Sequence, residues 1–122
     1  MRNQPKYHFF KNTGYALNGL KDVIMHETSF KIELVLATVL LPVLVILDIA
    51  LTYKLFMFMT LMGMLIAEVI NSAIERVVDL VTLEHHLMAG RAKDVGSTIV
   101  FLSIGIFVVV WSVCLADYMG IL

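Results

Sequence analysis

The feature that most constrains this chain is the run from Val95 to Ala116, 22 residues without a charged side chain. As a helix it reaches about 33 Å, enough to cross the hydrocarbon core of a bilayer, about 30 Å. Two shorter runs share its character. Leu34 to Leu47 is uncharged within an apolar stretch over about 30–50, and Leu55 to Ala67 is uncharged within a longer stretch over 53–81. The chain has 122 residues, 60% of them hydrophobic, with a mean hydropathy of +0.90. Soluble domains hold about 45–50% apolar residues. The pattern predicts an all-α membrane protein with three transmembrane helices, at about 30–50, 53–81 and 95–118, in a single membrane domain over 1–122 without internal repeats.

The connections set the order of packing. Asp48 to Lys54 is a short turn, so the first two spans are expected to be antiparallel neighbours. Residues 82–94, Thr-Leu-Glu-His-His-Leu-Met-Ala-Gly-Arg-Ala-Lys-Asp, read as a charged connection to the third span. Pro42 falls inside the first span, where a membrane helix tolerates it and can kink. Residues 6–29 form a different kind of element. Phe10, Leu17, Leu20 and Ile24 repeat at helical spacing while Lys11, Asn18, Lys21 and Asp22 fill other faces, which predicts an amphipathic surface helix. Gly14 and Gly19 weaken it and favour a break. Tyr7, Phe9, Phe10 and Tyr15 suit the headgroup level; an N-terminal arm packed on the protein is the alternative. The first residues, Met1-Arg-Asn-Gln-Pro-Lys6, show no apolar core and cleavage site of a signal peptide.

Basic residues orient the chain. Arg2, Lys6, Lys11, Lys21, Lys31, Arg76, Arg91 and Lys93 lie before the first span or around the 76–94 connection, and Lys54 alone lies on the opposite side. The positive-inside rule places the N-terminus and the 82–94 connection in the cytoplasm. With a net charge of −1 there is no electrostatic case for a nucleic-acid partner. Several residues read as structural. Met57, Met59, Met62 and Met64 are adaptable packing, Gly63 and Ala67 allow close helix approach, and Cys114 is an apolar packing residue with no intrachain partner. Trp111 suits an interfacial anchor. His85 and His86 are adjacent, a poor chelating geometry on a helix, and read as loop residues.

The chemistry lies in Glu68-Val-Ile-Asn-Ser-Ala-Ile-Glu-Arg-Val-Val-Asp79. At about 100° per residue from Glu68, Asn71 falls at about −60°, Ser72 at about +40°, Glu75 at about −20° and Asp79 at about +20°. Three carboxylates, an amide and a hydroxyl share one face over about 16 Å of axis. A carboxylate at Glu68 costs roughly 2.5–3.5 kcal/mol in lipid, so something must offset it. Glu27 and Glu33 approach from the first span, and Glu84, Lys93 and Asp94 from the connection. Carboxylates with a lysine at an aqueous membrane surface suit a Mg²⁺-nucleotide, because Mg²⁺ takes one or two carboxylates together with phosphate oxygens. Glu68, about 10 Å deeper than Glu75, is placed to accept a hydroxyl proton in phosphoryl transfer. Neither a Gly-x-x-x-x-Gly-Lys-Ser/Thr loop nor a protein-kinase signature is present. The spacing equally admits a structural network of buried hydrogen bonds, a proton path through Glu68, and Lys93 with Asp94 capping the third span.

The same residues carry a resemblance. Glu68 to Asp79, followed by Gly90-Arg-Ala-Lys-Asp-Val-Gly-Ser97 and preceded by Gly14-Tyr15, Gly19-Leu20, Glu27 and Phe30-x-x-Glu33, resembles the prokaryotic integral-membrane diacylglycerol kinases over essentially the whole chain. The resemblance implies a homotrimeric bundle in the bacterial cytoplasmic (inner) membrane. It implies transfer of the ATP γ-phosphate to diacylglycerol, giving phosphatidic acid, at a site shared between subunits. It implies Glu68 as proton acceptor and Glu27 and Glu75 as Mg²⁺ ligands. Tyr15, Glu27, Glu75, Glu84, His86, Lys93 and Asp94 are then the nucleotide contacts, and Glu33, Glu68, Asn71, Ser97 and Trp111 lie near the lipid. Two positions depart from the family pattern: His8 stands where an arginine is frequent and His85 where a tyrosine is, and neither is assigned to the nucleotide. An undecaprenol kinase with nearly the same motifs, and a small membrane proton-path subunit, are the alternative readings.

Overall fold

The computed structural model describes residues 6–122; Arg2 and the rest of the 1–5 segment lie outside the described residues. All regular structure among them is helical: α1 (Phe9–His26), α2 (Thr28–Ile46), α3 (Leu51–Val81) and α4 (Leu87–Tyr118). The last three are long and apolar enough to cross a membrane, and α1 is the surface helix. Helix α4 packs chiefly on α3, α3 also on α2, and α1 mainly on α2.

The boundaries differ from the sequence reading in three places, each for a local reason. Helix α1 runs unbroken through Gly14 and Gly19. Each glycine costs about 1 kcal/mol against alanine, and neither interrupts the hydrogen-bond ladder. The break falls at Glu27, whose extended backbone (φ −108°, ψ 110°) ends α1 and begins α2. The first span therefore starts and ends earlier than expected, at Thr28 and Ile46. Its C-terminal carbonyls lack intrahelical partners, and Lys54 reaches back from the first turn of α3 to donate to the Val45 carbonyl at 3.0 Å. The third correction is the charged connection, which shrinks to residues 82–86. Leu87 to Asp94 is helical despite its charges, because Leu, Met, Ala, Arg and Lys all favour helix. Lys93 and Asp94 thus sit inside α4 rather than capping it. His86 is the cap, its Nδ1 accepting from the Met88 N–H at 3.1 Å.

The core is a thin seam. Ala37 and Leu44 of α2, Met57 and Leu61 of α3, and Trp111 and Cys114 of α4 form one buried cluster. Within it Met57 and Leu61 are fully enclosed. Phe101, Leu102, Ile106 and Val109 on α4 are exposed, an apolar exterior suited to lipid or to other helices. Trp111 belongs to this seam and is not an interfacial anchor. It is 7% exposed, stacks obliquely on Phe107 with ring centroids 5.1 Å apart, and donates its indole N–H to the Met57 carbonyl and the Thr60 hydroxyl at 3.1 and 3.2 Å. Gly63 is a further correction: a Cβ there would meet nothing within 4 Å. The close approach between helices occurs at Gly96 instead.

Candidate active site

The polar stripe of α3 builds a site in two tiers. The deeper tier is enclosed: Glu68 and Ser72 on α3 and Glu33 on α2 are all buried. Glu33 lies one turn inside α2, within electrostatic reach of Glu68. The Oε2 of Glu33 has no hydrogen-bond partner. Buried polar atoms without partners are uncommon and point to a missing ligand or proton.

Next along the stripe, the helical period brings Asn71 and Glu75 together, and the Asn71 amide donates to Glu75 Oε1 at 3.2 Å. The other end of that amide, Oδ1, is buried and unpaired. It faces the backbone of α4 at Gly96, where a Cβ would lie 2.5 Å from it. Gly96 is buried, and only a glycine lets α4 come this close to the amide.

The outer tier is charged. Glu75 and Glu27 both lie within electrostatic reach of Glu68. Glu27 Oε1 accepts from Arg76 Nε and Nη2 at 3.1 and 2.8 Å, and the remaining arm of the guanidinium, Nη1, donates to Asp22 Oδ2 of α1. The Arg76 hydrogen bond, then its charge, hold the Asp22 carboxyl below the ordinary carboxylate range, with His26 adding and partial desolvation opposing. On the α4 side, Lys93 Nζ pairs with Asp79 at 2.7 Å and lies within electrostatic reach of Glu75. A cleft of about 270 Å³ between α3 and α4 is lined by Asp79, Glu84, His86 and Lys93. Two apolar cavities of about 460 Å³ each share Leu20 and Val69. One opens between α1 and α3 towards Ser72 and Arg76, and the other runs between α2 and α3 towards Leu41 and Met62.

The fold therefore gathers Glu27, Glu33, Glu68, Asn71 and Glu75 into one region, and Glu84, His86 and Lys93 into an adjoining cleft. It does not gather the rest. Tyr15, Asp94 and Ser97 are exposed. Trp111 sits level with Met57 and Thr60, which on α3 are about 12–16 Å along the axis from Glu68. Among the described residues, no three acidic, histidine or cysteine side chains close into a metal cage. Glu75, Glu27 with its second oxygen, and phosphate oxygens supplied by a nucleotide match the way Mg²⁺ is usually held, with few protein ligands. Sequence reasoning missed Asp22, Arg76 and Gly96. Arg76 lies 49 and 54 residues from its partners, and no local pattern signals such a pairing.

Comparison with known proteins adds to the geometry. The sequence model for prokaryotic diacylglycerol kinase matches residues 14–115. The diacylglycerol kinase of Haemophilus influenzae is 38% identical over 104 residues, 85% of this chain and 88% of that protein. That of Escherichia coli K12 is 34% identical over 110 residues, 90% of each. The undecaprenol kinase of Bacillus subtilis is 31% identical over 86 residues, 70% of each.

Proposed function

Because the chain belongs to the prokaryotic diacylglycerol kinase family, we propose that it transfers the γ-phosphate of ATP to the free hydroxyl of diacylglycerol, giving phosphatidic acid and ADP. The observation that carries this reading is Glu68, a carboxyl group buried midway along the long apolar helix α3 beside Glu33, on the stripe that leads out to Glu75. A lipid hydroxyl arriving from the bilayer meets Glu68 first, whereas a nucleotide arriving from water meets Glu75 and Lys93 first.

Glu68 accepts the hydroxyl proton as the oxygen bonds to the γ-phosphorus, and the bond from that phosphorus to the β,γ-bridging oxygen breaks. Glu27 and Glu75 would hold a Mg²⁺ brought with the nucleotide, which would supply charge neutralisation for the transferring phosphoryl group. Lys93 neutralises phosphate, with Glu84, His86, Tyr15 and Asp94 completing the nucleotide contacts. Glu33, Asn71 and Ser97 orient the glycerol end. The unpaired Glu33 Oε2 supports a polar ligand group beside Glu68, and the two apolar cavities that meet at Leu20 and Val69 suit the lipid's acyl chains.

The working form is a homotrimer in the bacterial cytoplasmic membrane with the N-terminus in the cytoplasm. The distribution of Lys and Arg supports the orientation. The exposure of Tyr15, Asp94 and Ser97 on one protomer supports a site completed by a neighbouring subunit. The test is purified protein in mixed micelles with labelled ATP and Mg²⁺, offered diacylglycerol and undecaprenol in parallel. Labelled phosphatidic acid, lost in a folded Glu68→Gln variant, is the expected result. Label on undecaprenol alone moves the substrate to polyprenyl alcohols. Full activity in Glu68→Gln removes its role as base.

A further inference from the structure

Arg76 stands outside every role assigned so far, yet it makes the ion pairs that join α3 to α1 and to the α1–α2 corner. Its fork is divided unequally. Nε and Nη2 both donate to one oxygen of Glu27, Oε1, while Nη1 turns to Asp22. Glu27 Oε2 accepts none of these bonds. The backbone of Glu27 is already fixed on both sides. Its N–H donates to the Val23 carbonyl at 2.9 Å, closing α1, and its carbonyl accepts from Lys31 at 3.1 Å, opening α2. Only the side-chain torsions of Glu27 are left free, and the Arg76 fork fixes them.

We propose that Arg76 is a positioning residue for Glu27: it pins one carboxylate oxygen and aims the other at the metal–nucleotide, while its third arm fastens the surface helix through Asp22. This rests on the reading of Glu27 as a metal ligand. The chemistry favours positioning over simple competition between the guanidinium and the metal. A carboxylate has two oxygens, and a guanidinium on one of them leaves the other as a monodentate ligand. Carboxylate ligands are commonly oriented by such outer hydrogen bonds, and their loss costs about 10–100-fold in metal affinity. Lysine is no equivalent, because a single ammonium cannot present two fixed N–H groups to Oε1 and a third to Asp22.

The test titrates Mn²⁺ with a non-hydrolysable ATP analogue into the purified full-length protein in micelles, followed by electron paramagnetic resonance, with kinase assays alongside. Arg76→Ala is expected to weaken Mn²⁺–nucleotide binding about 10–100-fold and to raise the Mg²⁺ needed for half-maximal rate. Arg76→Lys should recover only part of the loss, and it serves in place of the alanine variant if that fails to fold. Asp22→Asn keeps both bonds to Glu27 and should hold Mn²⁺ affinity within about threefold. Unchanged or tighter Mn²⁺ binding in Arg76→Ala overturns the proposal, the tighter case marking Arg76 as a competitor. A loss in Asp22→Asn as large as in Arg76→Ala overturns it too, because tethering of α1 then explains the effect. Unchanged Mn²⁺ binding in Glu27→Gln overturns the ligand reading itself, whatever Arg76 does.

Discussion

Gly96→Ala is the substitution whose consequence can be worked most fully from the packing. The new Cβ would lie 2.5 Å from Asn71 Oδ1, 3.5 Å from Ile74 Cγ2 and 3.6 Å from Asn71 Cγ. Ordinary contact begins at 3.4 Å, so the Asn71 oxygen must retreat by 3.4 − 2.5 = 0.9 Å. The other end of the amide is bonded to Glu75 Oε1 at 3.2 Å, so a retreat of the oxygen turns the amide against that bond. Overpacking of this kind costs about 1–3 kcal/mol, and exchanging glycine for alanine in a helix returns about 1 kcal/mol. The net loss of stability is therefore small, about 0–2 kcal/mol. Activity is the more sensitive reporter, since displacement of a positioned group by about 1 Å costs on the order of a hundredfold in rate. The assay pairs lipid phosphorylation in mixed micelles with thermal unfolding followed by circular dichroism. A double-mutant cycle with Asn71→Ala isolates the clash: with the amide gone, adding Gly96→Ala should cost no stability. A cost that persists in the Asn71→Ala background, or a Gly96→Ala enzyme with full activity, refutes the reasoning.

Three further outcomes follow from contacts elsewhere. Trp111→Phe removes the indole bonds to Met57 and Thr60 and should cost about 1 kcal/mol, the scale of an interhelical hydrogen bond in a membrane. The KM for diacylglycerol should not move; a severalfold rise without loss of stability would put the indole against the lipid. Lys93→Met breaks a half-exposed pair with Asp79 and should leave the unfolding midpoint nearly unchanged. It should raise the KM for ATP by about 10–100-fold, the value of a charge-assisted hydrogen bond. Asp22 is held below its ordinary value of 3.8 by Arg76, so its share of the α1 tether is complete above that value and lost as pH falls through the lower folded value. Spin labels on α1 and α3 should keep their separation at pH about 5 and drift apart only below pH about 4, and drift already at pH about 5 would contradict the pairing.

Most of the fold was legible because lipid is a demanding solvent. Every backbone group in the bilayer must be satisfied within its own helix, so an uncharged run as long as Val95–Ala116 leaves few options. The ends were less legible. Charges at Arg91, Lys93 and Asp94 mark where the lipid stops and not where the helix stops, and α4 begins before them, at Leu87. Glycines at 14 and 19 suggested a break that the structure places at Glu27, because two unfavourable residues do not end a ladder whose neighbours support it.

The site divides along the same line between local and non-local information. Asn71 and Glu75 are four apart on one helix, and the 3.6-residue period alone makes them neighbours on one face. Pairing across helices depends on how far one axis slides and turns against another, which no single stretch encodes. Thus Glu33 coming within reach of Glu68, and Arg76 spanning Asp22 and Glu27, emerge only in three dimensions. The glycines make the point sharply. Gly63 and Gly96 both sit in apolar helices, and the small-residue spacing of Gly63 with Ala67 looked like the contact. Gly63 faces open space while Gly96 faces an amide, and the difference lies wholly in the opposite helix. By the same reasoning, Tyr15, Asp94 and Ser97 are exposed on this chain, and what packs on them is not written in their own helices. If those side chains serve the phosphoryl transfer proposed above, the helix that closes over them belongs to a second copy of the chain.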